Sequence, residues 1–308
     1  MQVIYEPRFN YQLGLLKYLH PFDGEKFAKV ASELDSVDVE VIQPNEPIST
    51  DIINEYLNEL MRKLVLSRML IFRALEVPKI PFVSFDFLDK KILTPMRLAV
   101  SGTLLGAEKA LESGETMWNL SGGFHHASNL NMEGFCIYND IGITYQQLRK
   151  NGHLSETDKV LIIDVDAHHG NGNAYSFKDN ENVHLLDVYN EDIYPTSSFT
   201  RNRVNFPVPL KSGVEGEEYL TKLNQALELV IDEYALAFVI AGTDVLAVDK
   251  LGGFKLTIED VVEREKSILS RLKSLNIPTV VTGGGGYSKQ SASAIAAAIR
   301  ACTALWKR

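Results

Sequence analysis

Asp164, Asp166 and His168 occupy alternate positions in the run Leu161-Ile162-Ile163-Asp164-Val165-Asp166-Ala167-His168-His169-Gly170-Asn171-Gly172. In extended chain, alternate side chains share a face, so this spacing brings two carboxylates and an imidazole within a few ångströms. Carboxylate and imidazole together bind divalent metals, and a carboxylate beside an imidazole sets its proton affinity. A polar loop after any buried strand would hold the same residue types, so the cluster needs partners from elsewhere. Other apolar runs also end in reactive residues. Met117-Trp118-Asn119-Leu120 leads into Ser121-Gly122-Gly123-Phe124-His125-His126, and Phe238-Val239-Ile240 into Ala241-Gly242-Thr243-Asp244. Thr279-Val280-Val281 leads into Thr282-Gly283-Gly284-Gly285-Gly286-Tyr287.

Asp166, His168 and Asp244 make a set of two oxygens and one nitrogen. Three protein ligands with a fourth position left open is the pattern of a catalytic rather than a structural zinc site. The mixed ligation suits Fe(II) or Mn(II) as well. A metal held there would acidify water and polarise a carbonyl. His125 and His126 follow two glycines that free the loop to turn both rings into one cavity. Tyr287, after four glycines, is placed to donate its hydroxyl to a developing oxyanion.

The elements that must position these residues alternate. Val3 to Tyr5 and Val37 to Ile42 read as strands, and 23–34 as a helix capped by Asp23. Residues 50–75 hold one or two helices, and Thr94 to Leu111 is a long helix with Ala and Gly on one side. Further on, strands at 117–120, 160–163, 183–188, 235–240 and 278–281 alternate with helices at 139–150, 217–233, 257–275 and 288–306. Continuous apolar strands separated by helices predict a mostly parallel sheet covered on both faces, a three-layer αβα single domain over 1–308. Ligands of such sheets lie beyond the carboxyl ends of the strands, where every reactive residue named above falls.

Composition agrees with an enzyme of this kind. The 308 residues are 45% apolar, enough for a large core. Cys136 and Cys302 are the only cysteines and are far apart, which excludes a disulfide framework and a cysteine-type zinc site and favours a reducing compartment. The start lacks a secretory h-region, and no apolar run approaches the roughly 18 residues of a membrane span, so a cytoplasmic protein is expected, with the nucleus open to it. A formal charge of −9 argues against direct nucleic-acid binding through basic patches. There is no HExxH, no GxSxG and no Gly-Lys phosphate loop, and Tyr175 stands where a dinucleotide fingerprint needs glycine.

Several blocks, in this order, resemble the histone deacetylase family of the arginase/deacetylase superfamily. They are Gly122-Gly123-Phe124-His125-His126-Ala127, Gly134-Phe135-Cys136-Ile137-Tyr138-Asn139-Asp140, Asp164 to Gly172, Ala241-Gly242-Thr243-Asp244 and Gly283 to Tyr287. His20-Pro21-Phe22-Asp23-Gly24, Asp187-Val188-Tyr189-Asn190 and Asp249-Lys250-Leu251-Gly252-Gly253 resemble its class IV branch most. The resemblance implies zinc on Asp166, His168 and Asp244, and a zinc-dependent hydrolase acting on the amide of an N-ε-acyl-lysine in a protein or peptide. It implies that His126 moves the proton, that His125 is its electrostatic partner oriented by Asp164, and that Tyr287 binds the oxyanion. It implies a substrate tunnel walled by Gly134 and Phe135 against Tyr194, with Leu251 at the rim and Gly285 in the glycine run beneath. A potassium ion near Asp164, Asp166, His168, Asp187 and Val188 is a further implication.

Two positions depart from much of the family. Asn171 stands where class I members carry a second relay Asp, and a neutral amide stabilises an imidazolium less, so His126 is expected to be a weaker base. Tyr194 stands where many relatives have Phe, which bears on acyl length. His169 has no role in this reading. The rivals are an acetylpolyamine or other small-molecule amidohydrolase of the same superfamily, an arginase-like two-metal hydrolase, and a degenerate binding module. Gly170 and Leu246 replace the carboxylates that a second arginase metal would need. Oligomeric state has no signal in the sequence.

Overall fold

The computed structural model describes residues 1–12, 21–231 and 233–306. His20, part of the class IV-like segment, lies outside them. One eight-stranded sheet runs through the molecule in the order β2-β1-β3-β8-β7-β4-β5-β6, with every neighbouring pair parallel. The strands are β1 (Gln2–Ile4), β2 (Glu40–Ile42), β3 (Thr116–Asn119), β4 (Lys159–Asp164), β5 (Val183–Asn190), β6 (Phe206–Leu210), β7 (Tyr234–Ile240) and β8 (Thr279–Thr282). The helices are α1 (Lys26–Leu34), α2 (Thr50–Tyr56), α3 (Glu59–Leu64), α4 (Arg68–Ala74), α5 (Phe85–Leu88), α6 (Thr94–Ser113), α7 (Asp140–Lys150), α8 (Asn171–Ser176), α9 (Ser198–Arg201), α10 (Gly216–Leu227), α11 (Ile258–Ser274) and α12 (Ser291–Trp306).

The central strands are apolar on both faces because helices cover both. Val160 to Ile163 and Leu236 to Ile240 are almost wholly excluded from solvent. α6 lies close over the sheet because it presents glycine there: a Cβ on Gly106 would come within 2.9 Å of Ile4 Cδ1 and 3.2 Å of Val280 Cγ1. α11 begins with a capping box, Thr257 and Asp260 each satisfying the other's backbone N–H.

Several expectations change. α1 begins at Lys26, and Asp23 instead accepts from the Glu25 N–H in the preceding turn. Residues 50–75 form three short helices, the second capped by Asn58. α10 stops at Leu227 rather than reaching 233. The N–H groups of Leu229 and Val230 bond back only three residues, closing the helix in a turn that leaves Leu229 and Ile231 exposed. β6 went unread because Pro207 and Pro209 interrupt its pattern. Proline is tolerated there because β6 is the edge strand and needs partners on one side only. No helix among the described residues is long and apolar enough to cross a membrane.

Candidate active site

The strands that end in reactive residues, β3, β8, β7 and β4, are consecutive neighbours at the middle of the sheet. Their carboxyl ends therefore open onto one rim, and the loops that follow meet there.

Asp166, His168 and Asp244 each offer a ligand atom within 4.8 Å of the others. His168 Nδ1 lies 2.8 Å from Asp244 Oδ2 and 3.1 Å from Asp166 Oδ1. Both carboxylates are wholly buried, and backbone amides hold their remaining oxygens in place. Ala167 N donates to Asp244 Oδ1 at 2.9 Å, and Gly285 N donates to Asp166 Oδ2 at 2.6 Å. Glycine is needed at 285, since a Cβ there would fall 2.5 Å from Asp244 Oδ2. Burial tends to lower the His168 pKa, but the hydrogen bonds and charges of Asp166 and Asp244 raise it to about 11. A field that holds a proton so firmly will hold a divalent cation, so the donor set fits a metal site.

Asp164 belongs to a different job. β4 ends at Asp164, so strict alternation stops there, and its carboxylate turns to His125, with Oδ2 2.8 Å from Nδ1. The rings of His125 and His126 lie 4.0 Å apart, and His126 Nδ1 is 2.7 Å from Asn171 Oδ1. The two imidazoles are driven apart in proton affinity. For His125, burial acts downward but is outweighed by Asp164 and Asp166, and the pKa rises to about 9. For His126, burial and the neighbouring His125 and His168 push it well below the usual histidine value. The surroundings favour the charged form of one ring and the neutral form of its neighbour.

Tyr287 packs edge-on against Phe135 at 5.5 Å and Phe22 at 6.4 Å between ring centres. Burial, with the charges of Asp166 and Asp244, raises its pKa far above 10, so the phenol keeps its proton. Asp249 accepts from Tyr287 N at 2.7 Å and from Leu251 N at 2.9 Å, tying the exposed Leu251 to the Tyr287 loop. Phe135 holds a left-handed backbone, φ 66°, directly after Gly134 at φ 55°, and a side chain on Gly134 would collide with the His126 ring. The Tyr194 ring lies 5.4 Å from that of His126. A narrow pocket, open to solvent, reaches from Gly134, Phe135 and Tyr287 past His125 and His126 to Tyr11, Phe27, Ile92 and Met96.

His169, which sequence reasoning left idle, is wholly buried. Its Nδ1 lies 2.6 Å from Asp187 Oδ2 and its Nε2 3.0 Å from Thr200 Oγ1 on α9. It therefore fastens the loop that carries Asp166 and His168 to the segment that carries Tyr194. Asp187 Oδ1 is buried without a hydrogen-bond partner, the kind of orphaned oxygen that a monovalent cation would satisfy.

Other contributors went unnoticed. Arg264, on α11, is fully buried and reaches the backs of two metal loops, donating to Val165 O and Gly242 O at 2.8 Å each, with Glu265 as its counter-ion. The spacing of Val261, Ile268 and Leu272 already places residue 264 on the apolar face of that helix, a signal that would have found it. Asp140 accepts from Gly123 N and Phe124 N and so sets the loop that aims the histidines. Lys26 lies against Phe22 and donates Nζ to Gly284 O at 3.3 Å, its pKa lowered to about 8 by burial.

A model of the histone deacetylase domain matches residues 20–303. Histone deacetylase 2 of Arabidopsis thaliana is 33% identical over 309 aligned residues, covering 97% of this chain and 78% of its own. Type-1 histone deacetylase 1 of Dictyostelium discoideum is 32% identical over 202, covering 61% of this chain and 39% of its own. Among solved structures, the HDA15 HD domain superposes with a TM-score of 0.75 at 18% identity, covering 99% of this chain and 90% of that one.

Proposed function

The chain belongs to the histone deacetylase family, and from that premise we propose that residues 1–308 are one catalytic domain hydrolysing the amide of an N-ε-acyl-lysine side chain in a protein or peptide. The observation that carries this reading is the split histidine pair beside a buried three-ligand set, because two adjacent imidazoles with opposed proton affinities mark an acid–base site. Asp166, His168 and Asp244 would hold Zn²⁺, with Fe²⁺ compatible with the same donors. Bound there, the metal supplies Lewis acidity to the acyl carbonyl and to the attacking water.

The chain's own groups do the rest. His126, neutral, takes a proton from the attacking water at Nε2 and later gives one to the leaving lysine amine. His125, kept charged by Asp164, favours the negative charge that builds beside it. Tyr287, which keeps its proton, donates to the oxyanion. Gly134 and Phe135 form one side of the lysine channel and Tyr194 another, with Leu251 outside and Gly285 below, holding Asp166. K⁺ would sit by the orphaned Asp187 oxygen, with Asp164 and Val188 nearby. Within the family we assign the chain to the class IV branch, on the segments at 187–190 and 249–253.

Over an acetylpolyamine substrate, an acyl-lysine is favoured by the pocket itself. Among the described residues its lining, dominated by Phe22, Phe27, Ile92, Met96 and Phe135, includes no carboxylate to receive a second ammonium. The same lining has room for acyl groups longer than acetyl. A panel of acyl-lysine peptides of increasing chain length, assayed with zinc-loaded protein, tests this. Hydrolysis of acyl-lysine with little of acetylpolyamine is expected, and a metal-loaded, folded preparation that cleaves neither would refute the reading.

A further inference from the structure

An amide has two unlike ends, and Asn171 presents one of them to His126. If Oδ1 faces His126 Nδ1, that nitrogen carries the proton and Nε2 is left with a free lone pair. If Nδ2 faces it, Nδ1 must accept, the proton moves to Nε2, and the ring cannot act as a base. A relay carboxylate would never face this choice.

The next contact resolves it. Asn171 Nδ2 donates to Glu133 Oε1 at 2.6 Å while Oδ1 lies 2.7 Å from His126 Nδ1. An ionised carboxylate only accepts, so the amide can satisfy Glu133 in one orientation alone. Glu133 sits in the loop between β3 and α7, close enough to Tyr194 for its charge to bear on that phenol. His126, Asn171 and Glu133 line a second, more polar pocket of about 380 Å³. Water can therefore reach the amide and would serve either of its ends equally. Burial alone does not orient it.

We propose that Glu133 is a positioning residue that fixes the His126 tautomer by fixing the orientation of Asn171. It acts through the amide, at one remove from the reacting atoms, and stands in for the negative group that Asn171 lacks. The kinetic side of this inference rests on the deacylase reading of the same site; the tautomer side does not.

The experiment uses zinc-loaded full-length protein labelled with ¹⁵N-histidine. The His126 ring signals are identified by their loss in His126→Gln, and the ring shifts report which nitrogen is protonated. Wild type is expected to hold the proton on Nδ1, Glu133→Ala to move it wholly or partly to Nε2, and Glu133→Gln, whose side-chain carbonyl can still accept, to resemble wild type. In kinetics, Glu133→Ala should lower kcat by about tenfold with KM nearly unchanged, the loss expected when one charge-assisted hydrogen bond is removed. In an Asn171→Asp background, where no amide needs orienting, adding Glu133→Ala should cost less than about twofold. An unchanged tautomer in folded Glu133→Ala would overturn the proposal, as would an equal kcat loss in both backgrounds. If Glu133→Ala does not fold, Glu133→Gln matched against Glu133→Leu makes the same distinction. If wild type hydrolyses no acyl-lysine peptide, the deacylase reading fails and the ring shifts still decide the role of Glu133.

Discussion

The Asp166–His168–Asp244 cluster and the His125–His126 pair lie side by side and are built on opposite plans. Asp166, His168 and Asp244 hang from the ends of neighbouring central strands and are locked by backbone amides at 167 and 285. Their geometry follows from the sheet, and little but the sheet's register can disturb it. His126 depends on a chain of side chains, Asn171 and then Glu133, drawn from the loops after β4 and β3. The lesson is that backbone-anchored groups are fixed by the fold, whereas side-chain-anchored groups are fixed one hydrogen bond at a time and are where related chains can differ.

Breaking the first plan should be the more damaging. Asp244→Ala removes a ligand and strips a buried partner from His168, so metal content by elemental analysis should fall to near zero and activity with it. Metal retained at wild-type stoichiometry would contradict the ligand assignment. Tyr287→Phe should keep its metal and lose about 10²–10³ in kcat, the usual cost of an oxyanion donor. Full activity in that variant would remove Tyr287 from the mechanism. Arg264→Met leaves Glu265 buried without its partner and frees two carbonyls behind the ligand loops, so unfolding free energy should drop by about 3–5 kcal/mol. Denaturant titration of the folded protein checks this.

The second plan should bend rather than break. His126 must be neutral to accept a proton, and its pKa is depressed. Activity should therefore rise with pH through a limb placed below the usual histidine value and stay high until His125 loses its proton at about pH 9. Asn171→Asp supplies a full negative charge, raises the His126 pKa and should move that acidic limb to higher pH, by about one unit. A pH–rate profile with an unmoved limb would show that residue 171 does not set the basicity of His126. Smallest of all should be Tyr194→Phe, which removes a hydroxyl at the open side of the site, with KM for long acyl chains shifting by only about two- to threefold.

The same contrast explains what the sequence made legible. The fold and the convergence of Asp166, His168 and Asp244 are legible because strands, glycines, acids and histidines recur in register along the chain, and each strand end repeats the pattern. Alternation groups Asp164 with Asp166 and His168, whereas its carboxylate meets His125, the partner that the family resemblance implies, because the strand ends at that residue. Arg264 was hidden in the charged run Glu263-Arg264-Glu265-Lys266, which reads as a solvated face until its phase against Val261 and Ile268 is counted. Glu133 and His169 carried no periodic signal at all. Their partners, Asn171 and Thr200, are distant in sequence and become neighbours only when loops from different strands fold together. β6 was lost to its prolines, which only the edge position permits.

Arg264 also bears on the order in which the molecule is made. The carbonyls it gathers belong to residues 165 and 242, yet the guanidinium arrives on α11 and Gly285 still later on the loop after β8. A nascent chain that has emerged only through Asp244 has all three ligands but neither the cation behind them nor the amide that seats Asp166. The ring and amide of His168 and the amide of Ala167 would then have to offset the repulsion of two carboxylates without further help. The finished arrangement of the three side chains therefore belongs to a chain that includes α11 and the loop after β8, and a ribosome-bound fragment ending before α11 would carry Asp166, His168 and Asp244 without those two supports.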